Sequence, residues 1–449
     1  MENLAVREQD RRHQEADISR RQDASHSPKV GMVLAFTGHY DSVKLLARFL
    51  ELAGVDLVKS RLSTPKIIEA GTTFASADFC LPLRVYVGHV LHLVQEHPDL
   101  DCIVAPNILS EDGISSTCSK YRDVGGVAIR SLGDTVGYLL ARADEESRAR
   151  LTELAGADAI QMRLEKARHL PAFIMPNIRS LDYVDMRNVC YDVYADIKGW
   201  SKTQKVAFFL PGGLKPRLAP QLARVEAAFA QAYSEVVEGQ RSRLEQLLAD
   251  QTKPRLALVG RRYLINDPAL TCDLKTWFQK RGATVLSASD LPRDLLWQSY
   301  HQVDGYYDTH LEGQAFINWA ADKVDGMISL GSFGCHPDAF QVDYLAEWAR
   351  AQRVPTWTLR YDESAGSAGF HTRYETIFAF LEQRRDQRLA GKQGQRLVAV
   401  TPDSEGIQLP MAPLAPGGRK VSGHPGQFSD QGRNAPAPPA VAKPKRPLI

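Results

Sequence analysis

The sequence predicts an α/β protein with two doubly wound, Rossmann-like parallel-sheet domains, joined by a helical linker and flanked by disordered tails. Short apolar runs alternate with amphipathic segments through both halves, the pattern of parallel strands covered by helices. A length of 449 residues accommodates two domains, and 44% hydrophobic residues suit a globular protein. The predicted boundaries are 1–28 for a disordered segment, 29–210 for the first domain, 211–250 for the linker, 251–387 for the second domain and 388–449 for a disordered basic tail.

The apolar runs define the strands of each half. Those of the first half are at 30–36, 55–60, 101–107 and 171–177. Those of the second half are at 255–261, 283–289, 325–332 and 355–362. Helical patterns lie at 42–54, 82–95, 144–168 and 373–385, and a longer one over 217–249 joins the halves. Because doubly wound sheets bind ligands at the carboxyl ends of their strands, we expect functional residues in the loops that follow these strands.

The charge distribution argues against a nucleic-acid groove. The formal net charge is +2, but residues 388–449 alone carry +6 and the body from 29 to 387 carries −3. The tail also holds ten of the 25 prolines, a composition that cannot bury enough apolar area to fold. No apolar run reaches the ~18 residues of a membrane helix, and the N-terminus lacks the apolar segment of a secretory signal. We therefore expect a cytoplasmic protein that binds neither nucleic acid nor membrane.

Two cysteines occupy similar positions in the two halves. Cys80 in "DFCLPLRV" and Cys335 in "FGCHPDAF" each precede a helical pattern, with Pro82 and Pro337 two residues further on. Proline favours the first turn of a helix, so each cysteine is expected at a helix N-terminus. The helix dipole and its unpaired N–H groups stabilise a thiolate there, or an anionic cluster bound through sulfur.

A third candidate thiol is Cys118, in the polar loop "SEDGISSTCSKYRDVGG" after the strand at 101–107. A polar loop gives cysteine little packing role, so Cys80, Cys118 and Cys335 form the predicted metal or cluster site. Cys102, Cys190 and Cys272 fall in a strand or in helical patterns and are expected to be core residues. No Cys-x-x-Cys pair is present, which argues against a zinc ribbon.

Other chemistries have weaker signals. The chain has no Walker-type phosphate loop and no helix-opening Gly-x-Gly-x-x-Gly, and "LPGGLKP" (210–216) is typical of a linker turn. His89 and His92 share a helix face, either as a metal pair or, more commonly, as structural residues. Asp362 and Glu363 end a strand, and Arg373 is expected to open the next helix with Thr372. They form either a cap with an ion pair or part of a substrate-binding cleft.

The motifs together resemble proteins related to 2-hydroxyacyl-CoA dehydratases and their activases. "GTTFASADFCLPLRVYVGHVLHL" with "DCIVAPN" is similar to that family's Cys-x-Pro signature, and "GRRYLINDPAL" to its Gly-Arg-Pro-Tyr strand end. "SLGSFGCHPDAF" resembles its second cysteine loop, and "LRYDESAGSAGFHTRYETIFAF" its C-terminal motif. The resemblance covers roughly residues 30–385 in the family's order. It departs from the pattern at Arg84, where lysine is usual, at Arg262, where proline is usual, and at His336, where a small residue is usual.

The resemblance implies a [4Fe-4S] cluster in an interdomain cleft, with Cys80, Cys118 and Cys335 as ligands and an acyl-CoA thioester as substrate. It also implies a separate activator ATPase, with its own iron–sulfur cluster, that delivers a low-potential electron; a homodimer and a heterodimer are both compatible with it. His336 is the candidate catalytic residue. The candidate cleft residues are Arg84, His89, Asp362, Glu363 and Arg373. Two alternatives remain open: a non-catalytic binding or scaffold subunit of the same fold, and a zinc-bound structural protein.

Overall fold

The computed structural model describes residues 27–133, 170–200, 219–300, 307–362 and 367–391, with a few isolated helical residues between 145 and 157. All of them lie in one compact unit, Met1–Leu397. Most of both predicted tails, most of the helical pattern at 144–168, the turn at 210–216 and Glu363 lie outside the described residues. Within the described part of the chain, no helix is long and apolar enough to cross a membrane.

The first half forms a four-stranded parallel sheet in the order β2-β1-β3-β5. Its strands are β1 (Lys29–Met32), β2 (Asp56–Lys59), β3 (Cys102–Val104) and β5 (Ala172–Ile174). Beyond β3 and β5 the chain pairs again through β4 (Asn107–Ile108) and β6 (Asn177–Ile178), also in parallel. The helices are α1 (Asp41–Leu52), α2 (Pro65–Phe74), α3 (Leu81–Glu96), α4 (Val124–Leu132) and α5 (Tyr183–Ile197).

The second half forms another four-stranded parallel sheet, in the order β8-β7-β9-β10. Its strands are β7 (Arg255–Gly260), β8 (Thr284–Leu286), β9 (Gly326–Ser332) and β10 (Thr356–Tyr361). Helices α6 (Ala219–Tyr233) and α7 (Gln240–Ala249), separated by a π-turn at Ser234–Glu238, lie between the two sheets in the chain. The other helices are α8 (Arg262–Asn266), α9 (Leu274–Lys280), α10 (Arg293–Tyr300), α11 (Asp308–Ala320), α12 (His336–Ala351) and α13 (Ser367–Leu389).

The two halves repeat one arrangement. In each, the first strand is followed by a short helical turn, a helix, an outer strand and a pair of helices, and then by the third strand on the other side of the first. The predicted α/β class with two parallel sheets is confirmed. The helix predicted over 217–249 consists of α6 and α7 with the π-turn between them; Phe229 of α6 packs edge-on against Phe49 of α1.

Several predicted elements differ in detail from the structure. The strand predicted at 30–36 ends at Met32, because Val33–Ala35 leave the sheet and a 3-10 turn forms over Phe36–His39. Cys272 was expected in a helix, but it has a left-handed φ of 49° just before α9. Arg373 lies inside α13 rather than at its start. One hydrophobic core contains residues of both sheets, including Ile103 of β3 and Leu258 of β7.

Candidate functional site

The candidate site lies where the switch points of the two sheets meet. In each sheet the chain lays its second strand on one side of the first and its third strand on the other. Ligands bind at the carboxyl ends of the strands next to such a reversal. The turn after β1, Phe36–His39, contacts the turn after β7, which contains α8. The switch points of the two sheets therefore face one another. The loops after β3 and β9 lie at the same place.

Cys80 and Cys335 are helix N-cap residues, as predicted. Cys80 precedes α3 and Cys335 precedes α12, each with proline in the first turn. The N–H groups of Leu83 and Arg84 donate to the Cys80 carbonyl, and that of Ala339 donates to the Cys335 carbonyl. Neither thiol meets the geometry of a capping hydrogen bond, but the backbone N–H groups of Leu83 and Asp338 act on the two sulfurs and partly offset the burial that raises their pKa values. Each sulfur is thus located at the positive end of a helix.

Cys118 is the N-cap residue of a 3-10 turn, Ser119–Tyr121, that leads into α4. Like Cys335, it follows the third strand of its sheet. The topological counterpart of Cys335 is therefore Cys118, not Cys80 as the Cys-x-Pro pattern indicates. The counterpart of Cys80 is Tyr307, the N-cap residue of α11. The loop before Cys118 also reaches the second half, where the N–H of Asp308 donates to the Ser116 carbonyl at 3.1 Å.

Cys80 interacts electrostatically with each of the other two candidate thiols, Cys118 and Cys335. Burial raises the pKa of Cys80, and the charge of Cys118 adds to this rise. Burial also raises the pKa of Cys335 to about 12, with further contributions from Asp338 and Cys80. Because Coulomb interactions weaken with distance, these effects indicate that Cys80 lies near both Cys118 and Cys335. Among the described residues, however, no three His, Cys, Asp or Glu side chains are arranged to hold a single metal ion.

Arg261 acts electrostatically on Cys80 and Cys335 and is 1% exposed. Its Nε donates to Asp338 Oδ1 at 2.9 Å, while Asp338 Oδ2 accepts from the Ser332 N–H. Burial opposes the charge of Arg261, but Asp338, Tyr121 and Cys335 keep its pKa well above the ordinary value. Its Nη1 and Nη2 atoms, and the hydroxyl of Tyr263, are buried with no hydrogen-bond partner among the described residues.

Aromatic rings line the same region. Phe36 stacks on Tyr121 with ring centroids 4.1 Å apart, and Tyr263 and Tyr86 lie 5.7 and 6.5 Å from it. Phe36 has a φ of 54°, a conformation that a bulky residue adopts only where the surrounding structure holds it. Lys120, two residues after Cys118, has its ammonium 5.1 Å from the ring of Phe79, the residue before Cys80. The surroundings of the thiols are therefore aromatic and cationic, and Cys80 and Cys118 themselves are half-buried.

A second buried cluster centres on Arg262. Its guanidinium lies 2.7 Å from Glu312, 3.0 Å from Glu111 and 3.6 Å from Asp41. Asp308, four residues before Glu312 on α11, accepts a hydrogen bond of 2.7 Å from the hydroxyl of Tyr40. A cavity of about 30 Å³ borders Arg262 and Glu312, which is room for about two water molecules and far too little for an acyl-CoA thioester.

The other predicted site residues are dispersed. Arg84 lies in the first turn of α3, and His336 is the exposed first residue of α12. His89 is buried and bonded through Nε2 to Ser63, which donates to Asp267; burial lowers the pKa of His89 to about 4. His92 instead pairs with Glu96. Asp362 directly follows β10, and Arg373 is exposed, with its guanidinium over the ring of Phe370.

The buried charged residues around Arg261 and Arg262 were not predicted as site residues from the sequence. Arg261 and Tyr263 lie in "GRRY", which contributed to the resemblance but was not assigned a site role. Two adjacent arginines directly after an apolar strand were the available signal. Glu111, Asp308 and Glu312 had no comparable local signal, because their partners are distant in the chain.

Residues 29–131 match the family described as CoA enzyme activase uncharacterised domain (DUF2229). The α/β chain thus contains a CoA enzyme activase-related domain, which confirms the resemblance to activase-related proteins. The matched segment includes Cys80, Cys118, Arg84 and His89, and ends before the second sheet that carries Arg261 and Cys335. No curated protein matches the chain.

Proposed function

We propose that this chain is an iron–sulfur protein of an acyl-CoA-processing system, with a [4Fe-4S] cluster bound by Cys80, Cys118 and Cys335. A separate ATP-hydrolysing activator delivers the electron, and an acyl-CoA thioester is the substrate class. The observation that carries the proposal is the meeting of three interacting thiols with a fully buried arginine that has two unpaired donor atoms. The matched CoA enzyme activase domain is the second support.

The residues fit a cluster better than a single ion. One ion requires its ligands to converge on a single centre, and no described group of three does so. The thiolates of a four-iron cluster each bind a different iron, so thiols from three separate loops suit it. Bound there, such a cluster supplies one-electron transfer and, with only three thiolates, one iron open to a substrate oxygen. The helix N-termini before α3 and α12, together with Arg261, offset its negative charge.

Anaerobic reconstitution tests the proposal. Wild-type protein is expected to bind about four iron and four sulfide per chain and, once reduced, to show an EPR signal. The Cys80→Ser/Cys335→Ser variant is expected to lose most of this iron. Cys272→Ala is the matched control, because Cys272 is also a half-buried thiol in a turn but lies outside the three loops.

Iron in the wild type no higher than in the Cys80→Ser/Cys335→Ser variant would overturn the proposal. An iron-free, colourless protein that still forms a stable complex with a partner subunit would indicate the scaffold class. Zinc in the wild type that the double variant loses would indicate a structural zinc site instead.

A further inference from the structure

The turn after β7 presents three unsatisfied donor groups to the interior. Arg261 Nη1, Arg261 Nη2 and the Tyr263 hydroxyl are buried and have no acceptor in the described part of the chain. Both side chains are at most 2% exposed. A buried donor without an acceptor destabilises the fold, and more strongly if the group is charged. Three such groups in one turn therefore indicate an anionic ligand that is not part of the polypeptide.

Neither nearby carboxylate accepts from these three donors in the described part of the chain. Asp338 accepts from Arg261 Nε and from the Ser332 N–H. Asp308 accepts from Tyr40 through Oδ2, and its buried Oδ1 has no hydrogen-bond partner among the described residues, so it makes no hydrogen bond to Arg261. The remaining charges that act on Arg261 and Tyr263 include Cys335, whose thiol is buried next to them. The acceptor that fits is sulfur held at the thiols.

We propose that Arg261 is the counter-cation of the cluster, and that its two Nη groups and the Tyr263 hydroxyl donate hydrogen bonds to sulfide or thiolate sulfur. This inference rests on the proposed function. A cation and two kinds of donor stabilise the reduced, more negative cluster more than the oxidised one, so they raise the reduction potential. Arg261 is thus a positioning and tuning residue, and it binds Asp338 through Nε alone so that both Nη groups remain available.

The test is an EPR-monitored redox titration of reconstituted wild-type, Arg261→Gln, Arg261→Lys and Tyr263→Phe proteins. Arg261→Gln is expected to weaken the relative stabilisation of the reduced cluster about tenfold, which is a midpoint about 59 mV more negative for one electron. Arg261→Lys and Tyr263→Phe keep the charge or lose only one donor, and are expected to shift the midpoint less in the same direction. Thermal unfolding of the apo-proteins confirms that each variant folds.

Asp338→Asn is the matched control, since it removes the partner of Arg261 but keeps an oxygen for the Ser332 N–H. It is expected to shift the midpoint in the positive direction. An arginine that served only its pair with Asp338 would not give shifts of opposite sign. Should Arg261→Gln fail to fold, Arg261→Lys and Tyr263→Phe decide the matter. Wild-type midpoints in these loaded variants would overturn this inference alone, whereas a wild type without iron would overturn the proposed function and this inference with it.

Discussion

The two halves share one order of strands and helices, but both buried arginines of the site come from the second half. The first half supplies two of the three thiols and two of the acids around Arg262, namely Asp41 and Glu111. The second half supplies Arg261 and Arg262, both in the turn after its first strand. The corresponding turn of the first half, after β1, contains the ring of Phe36 and no cation in its first three residues.

The difference shows that neither half forms the site alone. Without the second half, Asp41 and Glu111 would be acids at an apolar surface with no arginine. Without the first half, Arg262 would keep only Glu312. The corresponding helices α3 and α11 also differ. Helix α3 begins after Cys80 and has the buried Val85 as its fifth residue, whereas α11 begins after Tyr307 and has Glu312 at that position. Complementary charge, rather than symmetry, joins the halves.

The largest effect is expected from removing the cation that the acids of both halves share. Arg262→Met leaves Asp41, Glu111 and Glu312 buried around an apolar side chain, so the free energy of unfolding should fall by about 3–5 kcal/mol. Urea unfolding followed by circular dichroism measures this loss. Arg262→Lys is the control that keeps the charge and should cost less. A loss below about 1 kcal/mol for Arg262→Met would show that the halves are not joined by this cluster.

A smaller loss of stability is expected from adding a methyl group at a helix–helix contact, and it should differ between the two halves. A Cβ at Gly88 of α3 would overlap the Ile67 carbonyl oxygen of α2, so Gly88→Ala must push the two helices apart. A Cβ at Gly313 of α11 would lie 3.0 Å from the end of the Leu345 side chain, which can move. We expect Gly88→Ala to lower the free energy of unfolding by about 2 kcal/mol, since overpacking outweighs the gain in helix propensity.

Gly313→Ala is expected to be close to neutral, because about 1 kcal/mol of helix propensity offsets the local crowding. Chemical denaturation of both variants gives the comparison. Equal losses would mean that α2 and α3 tolerate separation as easily as Leu345 tolerates a new rotamer. Because Cys80 directly precedes α3, a lower iron content in Gly88→Ala than in Gly313→Ala would further link this helix contact to the thiol site.

The repeated architecture is predictable from the sequence, because parallel strands buried on both faces appear as apolar runs and prolines mark the starts of α3 and α12. The ends of the strands are less predictable. Val33 and Ala35 are as apolar as β1, but they are buried outside the sheet, which ends at Met32. Burial, not strand pairing, explains their composition.

The buried charges could not be predicted, for a related reason. Arg262 follows a strand, where a charged residue usually faces solvent, and its acids come from positions 41, 111 and 312. Local periodicity contains no information on such distant partners. The correspondence of Cys118 with Cys335 also depends on strand order, whereas the Cys-x-Pro pattern reflects only the local start of a helix.

The smallest expected effect is a change in the pH dependence of stability when Glu312, the second-half acid paired with Arg262, is replaced. Burial raises the pKa of Glu312 to about 7 from an ordinary 4.5, Arg262 opposes the rise, and Asp308 and Glu111 add to it. The folded chain therefore holds this proton more tightly than the unfolded chain. Its contribution to the free energy of unfolding is fully present below about pH 4.5 and is lost as the pH rises through about 7.

Glu312→Gln removes this titration but keeps an oxygen that accepts from Arg262. Relative to the wild type, the variant should therefore become steadily more stable as the pH rises from about 5 to about 8, while the other titrating groups cancel in the comparison. Urea midpoints at several pH values measure the difference, with the exposed Glu347→Gln as control. If the wild-type and Glu312→Gln curves run parallel, Glu312 remains ionised in the fold, and Arg262 alone compensates all three of its acids.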